Sequence, residues 1–271
     1  MTPGPVWLLV TTGAAAGLIG SMLGLGGGVF LVPLLTLAMG LPIRTAIAAS
    51  LLTVIATGSA SATLNLNRGL VNLRLGLALE VATSLGGLAG GATSSLLSAR
   101  QLFVAFGATL GMMAVIMAIR SGRRNLIAVG EAQPGVLGGR LEEGGVTYVY
   151  RLKRLPLALL VSLVAGAISG LFGVGGGIVK VPALTTFCGI PIRVATATST
   201  FMIGVTAAAS AFIYFGRGDV NLPLTAAVVV GTMPGSLLGT LLSDRIQARS
   251  LKIIMALVLA LVALRMLLEA L

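Results

Sequence analysis

The sequence predicts an all-α integral membrane protein, a polytopic helical bundle of two homologous halves, each with a glycine-broken helix that is re-entrant or discontinuous. Hydrophobic residues make up 56% of the 271 residues and charged residues only 9%, against roughly 25% charged in a soluble globular chain. Several apolar stretches approach or exceed the roughly 18 to 20 residues that cross a bilayer. One glycine-rich string occurs twice. These observations argue against a single soluble domain of buried helices.

The predicted spans are separated by short polar or basic connections. In chain order they cover residues 5–23, 44–65, 72–97, 101–119, 156–172, 194–215, 221–243 and 250–268. The formal net charge is +11, but the basic residues lie between apolar segments. In such places they set topology and contact lipid headgroups. We therefore expect a lipid bilayer as partner and no nucleic acid.

The duplicated string defines the repeat. Residues 24–33 and 173–182 share their glycines and a final proline, with Pro33 and Pro182 lying 149 residues apart. The same offset relates further pairs: Gly40 and Gly189, Pro42 and Pro191, Arg44 and Arg193, Ser50 and Ser199, Asn72 and Asn221. Duplication with a broken apolar segment at matching places is typical of transporters, which bind substrate at the breaks.

The first span carries Gly13 and Gly17, small residues that let another helix approach closely. This spacing favours packing inside the chain and leaves a homodimer open. The glycine run that follows must bend or break the helix. The apolar piece from Val29 to about Met39 is too short to cross alone, which indicates half of a discontinuous helix.

The span beginning near residue 44 is rich in alanine, serine and threonine, which bond to backbone carbonyls or line a wet cavity. Asn72 is placed to cap the next span. Glu80 is the one acid well inside a predicted span, and Val229 occupies its position in the second half. It is the candidate for proton coupling, with a structural ion pair as the alternative.

Three regions follow from this pattern: a first membrane repeat over 1–120, a basic linker over 121–154 and a second membrane repeat over 155–271. The basic excess of the linker predicts a cytoplasmic location. Its Val146–Tyr150 segment has β-type residues that favour a small hairpin against Val136–Leu141. The positive-inside tendency favours an odd number of crossings per half, which makes the halves inverted repeats.

The glycine runs are the first candidate substrate site. Gly26, Gly27 and Gly28, and likewise Gly175, Gly176 and Gly177, have no side chains, so that backbone amides can face a ligand. Where a half-helix begins, at Val29 or Ile178, unpaired amides carry a partial positive charge that suits an anion. The alternative is that the glycines only allow a tight bend and a close helix crossing. Neither run has the Rossmann or phosphate-loop spacing.

Lys180 stands where the first half has Leu31. A basic group at membrane depth is costly and marks a substrate or ion pathway by default. The alternatives are snorkelling to the interface or pairing with Glu80. Two further sets complete the candidates: hydroxyls at Ser50 and Ser199 for substrate contact, and guanidinium groups at Arg44 and Arg193 for an anion funnel, with interfacial anchoring as the alternative.

Catalytic and metal chemistry find little support. The chain has no histidine and one cysteine, Cys188, which excludes Ser-His-Asp triads, HExxH sites and an intramolecular disulfide. No G-x-S-x-G motif occurs. We expect no enzyme, metal or cofactor, although an intramembrane enzyme using Lys180 or Glu80 is an alternative.

The paired strings "GLIGSMLGLGGGVFLVPLL" and "GAISGLFGVGGGIVKVPAL", each followed by a Pro-Ile-Arg turn and a small-residue helix, resemble the TauE/SafE sulfite exporter family. The matching motif positions are Gly24, Gly26–Gly28 and Pro33, with Gly173, Gly175–Gly177 and Pro182. The resemblance covers both halves and omits only the linker. It implies a multi-pass transporter of the plasma (inner) membrane for sulfite, organosulfonates or related organic anions.

The sequence thus favours export of a small anion through a site between the repeats. Because the cell interior is negative, each expelled negative charge gains roughly 2.3 kcal/mol per 100 mV, so that no ATP site is needed. An anion or metabolite channel, an intramembrane enzyme and a structural subunit of a larger complex are the alternatives. A cation channel would call for buried acids, which the sequence lacks apart from Glu80.

Overall fold

A computed structural model describes residues 6–22, 26–120, 135–143, 146–242 and 248–269. Each predicted apolar stretch forms a helix. The first half comprises α1 Val6–Met22, α2 Gly28–Pro33 with a π-helical continuation over Leu34–Ala38, α3 Ile43–Asn67, α4 Leu73–Thr93 and α5 Ala99–Arg120. The second comprises α6 Leu155–Phe172, α7 Gly177–Thr186, α8 Ile192–Gly216, α9 Leu222–Leu242 and α10 Ala248–Glu269.

Six helices of the described residues, namely α3, α4, α5 up to Ile116, α6, α8 and α9, are long and apolar enough to cross a membrane. The first helix, α1, is apolar but shorter. Together they confirm the prediction of an all-α polytopic membrane protein. The side chains exposed on these helices, such as Leu77, Val81 and Leu85 on one face of α4, suit a lipid environment.

Both halves contain the predicted helix break. Gly26 has φ +69°, and Gly175 and Gly176 have φ +83° and +67°. Such left-handed backbone favours glycine. After each break a short helix begins, α2 at Gly28 and α7 at Gly177. Each contains the repeated proline, and in the first half the helix changes to π-helical geometry directly after it, because proline offers no amide for the regular ladder.

Helices of one half pack mainly against helices of the other half. Helix α1 lies on α9, and its counterpart α6 lies on α4, while α3 contacts α9 as α8 contacts α4. The counterparts α3 and α8 contact each other, as do α5 and α10. Every one of these pairings therefore has its equivalent when the halves are exchanged. The inverted orientation of the repeats stays a prediction.

Glycines allow the backbones of helices from the two halves to approach closely. A Cβ added at Gly13 or Gly17 of α1 would meet backbone of α9 at Val228 or Thr232, and one at Gly86 or Gly90 of α4 would meet backbone carbonyls of α6. Backbones approach this closely only where a side chain is missing. The small-residue spacing of α1 thus serves packing inside the chain, and the homodimer stays a prediction.

Gly86→Ala should destabilise the protein, whereas Gly91→Ala should not. A Cβ at Gly86 would collide with the Leu163 carbonyl oxygen, but at Gly91 the nearest atom, Cβ of Ile213, is 3.5 Å away. Overpacking costs about 1–3 kcal/mol, while alanine in an uncrowded helix gains about 0.5–1 kcal/mol over glycine. Thermal unfolding midpoints in detergent measure the difference. Equal midpoints for the two variants would contradict this packing.

The linker forms a hairpin in its described part. Strand β1, Gly139–Glu143, pairs antiparallel with β2, Val146–Tyr150, with Glu143 opposite Val146. The first strand therefore begins three residues later than the sequence predicted. The predicted linker residues 121–134 lie outside the described residues.

Asn72 ties the hairpin to the start of α4 in the first half. Its side-chain oxygen caps α4 by accepting from the Leu75 amide at 3.0 Å, as predicted. Its Nδ2 donates to the Leu137 carbonyl at 3.1 Å and to the Tyr150 hydroxyl at 3.2 Å. Burial raises the pKa of the Tyr150 phenol, which keeps it neutral at physiological pH. Leu141 and Tyr150 share a core cluster with Leu184 at the end of α7.

Asn72→Ser should loosen the hairpin without unfolding α4. Serine caps helices about as well as asparagine, but its short hydroxyl does not reach Leu137. Loss of about 1.4 kcal/mol of hydrogen bonding corresponds to about tenfold faster exchange of the hairpin amides. Asn221→Ser is the matched control, because Asn221 caps α9 through the Leu224 amide at 3.2 Å. Equal hairpin exchange in both variants would contradict the docking role.

Candidate functional site

Lys180 is the most unusual side chain of the structure. It lies in the first turn of α7 with 0% of its surface exposed. Its Nζ has no hydrogen-bond partner in the part of the chain that the structure describes. A buried ammonium group without a partner carries a large desolvation cost, so the position calls for an anion.

Glu80 lies on α4 and is 7% exposed. Its Oε1 accepts from the Thr206 hydroxyl at 2.8 Å and from the Ser84 hydroxyl at 3.0 Å. Its Oε2 has no hydrogen-bond partner among the described residues. Lys180 and Glu80 interact electrostatically but do not bond directly. The buried acid and base thus attract each other, while neither Oε2 of Glu80 nor Nζ of Lys180 forms a hydrogen bond within the described residues.

Four helices surround this pair. Helix α6 packs against both α4 and α7, and α8 likewise contacts both α4 and α7. Helix α6 has two fully buried hydroxyls, Ser162 and Ser169, two helical turns apart on one face. Neither hydroxyl oxygen has a partner within the described residues. We name Glu80, Lys180 and Thr206, together with the buried serines Ser162 and Ser169 on the adjoining helix α6, the polar cluster.

The place that is equivalent when the two halves are exchanged lacks the acid and the base. The positions 149 residues away hold Leu31 for Lys180, Val229 for Glu80, and Gly13 and Gly20 for the two serines, while Thr206 corresponds to the buried Thr57. Leu31 is completely buried. The repeats therefore share one architecture, but of the two equivalent places only the one formed by α4, α6, α7 and α8 has a buried acid and base among the described residues.

The second glycine run joins this cluster. A Cβ at Gly176 would lie 2.7 Å from the Ala165 carbonyl oxygen and 3.4 Å from Cβ of Ser169. The amides of Val179 and Lys180 turn back to the Gly176 carbonyl at 3.2 Å each. The first amides of α7, at Gly177 and Ile178, have no intrahelical partner and carry partial positive charge. Lys180 lies in that same turn.

The first glycine run lies in a close crossing of the two halves. A Cβ at Gly28 would collide with the Gly173 carbonyl oxygen and lie 2.6 Å from Ser50 Oγ. Near Gly26, methyl carbons of Val54 and Ile203 lie 3.6–3.7 Å from the equivalent point. At this run the observed contacts are those of tight packing, the alternative left open above. Anion contact at Gly26, Gly27, Gly28 and Val29 stays a prediction.

The two matched serines differ in their bonding. Ser50 Oγ donates to the Gly173 carbonyl at 2.7 Å, which ties α3 to the break of the second half. Ser199 is fully buried, and its Oγ has no partner in the described ranges. Ser50 thus has a structural bond, whereas substrate contact at Ser199 stays a prediction.

The two arginines lie at the start of α3 and α8. Arg44 Nη2 donates to the Leu97 carbonyl at 2.9 Å, in the connection between α4 and α5. This is the contact expected of an anchor at the end of a span. Arg193 is exposed. Their role as an anion funnel stays a prediction.

Sequence reasoning missed most hydroxyl groups of the site. Ser84 follows Glu80 by four residues and Ser169 follows Ser162 by seven, so helical spacing places each pair on one face. This signal was available. Thr206 bonds Glu80 across 126 residues of sequence, and no local pattern indicates that contact.

Known proteins resemble this chain along nearly its whole length. The profile of the family described as Sulfite exporter TauE/SafE matches residues 9–266. The probable membrane transporter protein YunE of Bacillus subtilis is 29% identical over 269 residues, 97% of each chain. A probable membrane transporter protein of Xylella fastidiosa is 28% identical over 89% of this chain and 87% of its own.

A plant protein, Sulfite exporter TauE/SafE family protein 6 of Arabidopsis thaliana, is 31% identical over 102 residues, which cover 38% of this chain and 23% of its own. No solved structure matches the chain significantly. The repeated glycine strings and the helices that they break lie within the matched region. The chain is a multi-pass membrane protein and belongs to the Sulfite exporter TauE/SafE family.

Proposed function

We propose that this protein is a secondary transporter that exports a small anion, such as sulfite, an organosulfonate or a related organic anion, across the plasma membrane. The main support is the side chain of Lys180, which is fully buried and has no hydrogen-bond partner in the described residues. The chain also belongs to a family of transporters. The family names describe transporters, not enzymes, and the proposal includes no catalytic residue.

The ammonium group of Lys180 and the first amides of α7 together replace the hydration shell of the anion. Charge-assisted hydrogen bonds of this kind are about twice as strong as neutral ones. The unpartnered hydroxyls of Ser169 and Ser199 are further donors. An oxyanion with three oxygens matches a site that offers several donors and one positive charge.

Gly175 and Gly176 bring backbone rather than side chains to this place. The left-handed Gly173 ends α6 and the left-handed Gly176 starts α7 within a few residues. The anion site consequently lies at a helix break next to α8, which contacts α3 of the other half. Substrate at such a junction can be exposed to either side when the halves move relative to each other.

A secondary transporter needs no ATP to export an anion, because the gradient of the anion itself drives the movement. Membrane voltage adds roughly 2.3 kcal/mol per 100 mV for each net negative charge that leaves the cell. Neither glycine run has the spacing of an ATP-binding loop.

Purified protein in proteoliposomes tests the proposal. Vesicles are loaded with labelled sulfite, sulfoacetate, methanesulfonate, taurine or sulfate, and efflux is followed against protein-free vesicles and against labelled choline as a cationic control. We expect saturable efflux of at least one anion and none of choline. If the reconstituted protein moves none of these anions, or moves choline equally well, the proposed function is wrong.

A further inference from the structure

We propose that Glu80 is the internal counter-charge of Lys180 and binds one proton when the anion binds, so that anion and proton cross the membrane together. This inference rests on the proposed function. It concerns how the site is coupled, which the identity of the substrate does not determine.

The charges of the polar cluster lead to this proposal. Without substrate, the ammonium of Lys180 and the carboxylate of Glu80 add to zero. A bound anion would make the buried site negative and would lie next to a carboxylate, and both are unfavourable in a low-dielectric interior. A proton on Glu80 restores neutrality, with Lys180 then compensating the anion alone.

The geometry of Glu80 provides room for that proton. Oε1 already accepts two hydroxyl hydrogen bonds, from Thr206 and Ser84, while Oε2 is buried with no partner in the described part of the protein. A proton on Oε2 turns it into a donor, which can bond to an oxygen of the bound anion. The carboxyl group thus changes from a competitor of the anion into one of its ligands.

Few other groups can take this role. Helix α6, which packs along α4, has no titratable side chain. Helix α8 has Arg193 and Tyr214 near its two ends, and α7 has only Lys180. Arg74 lies in the first turn of α4 itself. Around Glu80, Lys180 is the charged group that interacts with it most strongly among those described.

The place that is equivalent when the two halves are exchanged has neither the base nor the acid. It has Leu31 of the first half in place of Lys180 and Val229 of the second half in place of Glu80. Acid and base, one from each half, are therefore present together at one of the two equivalent places and absent together from the other. We infer one coupled site per chain and one proton per singly charged anion. The cycle is then electroneutral, the voltage contributes nothing, and the anion and proton gradients alone set the direction.

The test uses methanesulfonate, the anion of a strong acid, because it carries one charge and no titratable proton near neutral pH. Proteoliposomes contain labelled methanesulfonate and a pH-sensitive dye, and potassium with valinomycin sets the voltage. For the wild-type protein we expect one proton per anion and an efflux rate that changes less than twofold between 0 and 100 mV.

Glu80→Gln should lose proton movement, and the anion efflux that it retains should become voltage-dependent. Val229→Gln, which places the same side chain at the counterpart position, should keep proton coupling. Wild-type efflux that carries no proton, or that accelerates strongly with voltage, overturns the coupling while the transport function stands. Proton movement that persists in Glu80→Gln also overturns it. If no anion moves in any protein, the proposed function falls together with the coupling. The wild-type ratio decides the question even if Glu80→Gln does not fold.

Discussion

Lys180→Met should reduce anion efflux by about 10- to 100-fold or more. Methionine has nearly the length of lysine and fits an apolar interior, so the helix contacts survive while the positive charge is lost. Losing one charge-assisted contact of about 1.5–3 kcal/mol, with a factor of ten for each 1.4 kcal/mol, accounts for a drop of about one to two orders of magnitude. The loss of charge neutrality beside Glu80 reduces efflux further.

Leu31→Met is the matched control for this experiment. Leu31 occupies the corresponding position of the first half and is also completely buried. Efflux should remain within about twofold of wild type, since a volume-conserving apolar change usually costs less than about 1.5 kcal/mol. The measurement is the initial rate of labelled anion efflux, normalised to folded protein. An efflux rate in Lys180→Met equal to that of the wild-type protein would show that Lys180 does not bind the anion.

Gly176→Ala should have the second-largest effect. Gly176 has φ +67°, where a non-glycine residue costs roughly 1–2 kcal/mol. The added Cβ would also lie 2.7 Å from the Ala165 carbonyl oxygen, and overpacking adds about 1–3 kcal/mol. We expect a markedly lower unfolding midpoint and efflux reduced more than tenfold, because the start of α7 must move.

Gly40→Ala separates the two causes. Gly40 has φ +65°, but nothing lies within 4 Å of an added Cβ. This variant therefore has only the backbone cost and should transport anion at close to the wild-type rate. Equal losses of stability and efflux in the two variants would show that the crowding at Gly176 has no effect. That result would contradict the packing of α7 described above.

The membrane spans and helix breaks were predictable because they depend on local sequence. The length of each apolar stretch predicts a membrane span. A run of glycines followed by a proline within the same apolar stretch predicts the breaks at 26–28 and 175–177. The cap at Asn72 was also predictable from its side chain and place. These features need no knowledge of which helix lies beside which.

The tertiary contacts were not predictable from one sequence. That α1 packs on α9, and α4 on α6, depends on how two copies of one plan fit together. The sequence offered an ion pair and a substrate contact as alternatives for Lys180. In the structure Lys180 and Glu80 attract each other without a direct hydrogen bond, and substrate contact at Lys180 stays a prediction. Nor did local sequence show that Gly28 would lie against the Gly173 carbonyl, since 145 residues separate the two.

The most direct measurement locates a bound anion in the protein. Selenite, an oxyanion like sulfite, carries an anomalous scatterer, and diffraction near the selenium edge shows its position. We predict one anomalous peak per chain, within hydrogen-bonding distance of Lys180 Nζ and next to the start of α7. A peak at the apolar counterpart around Leu31, or a transported anion bound away from Lys180, would contradict the central claim.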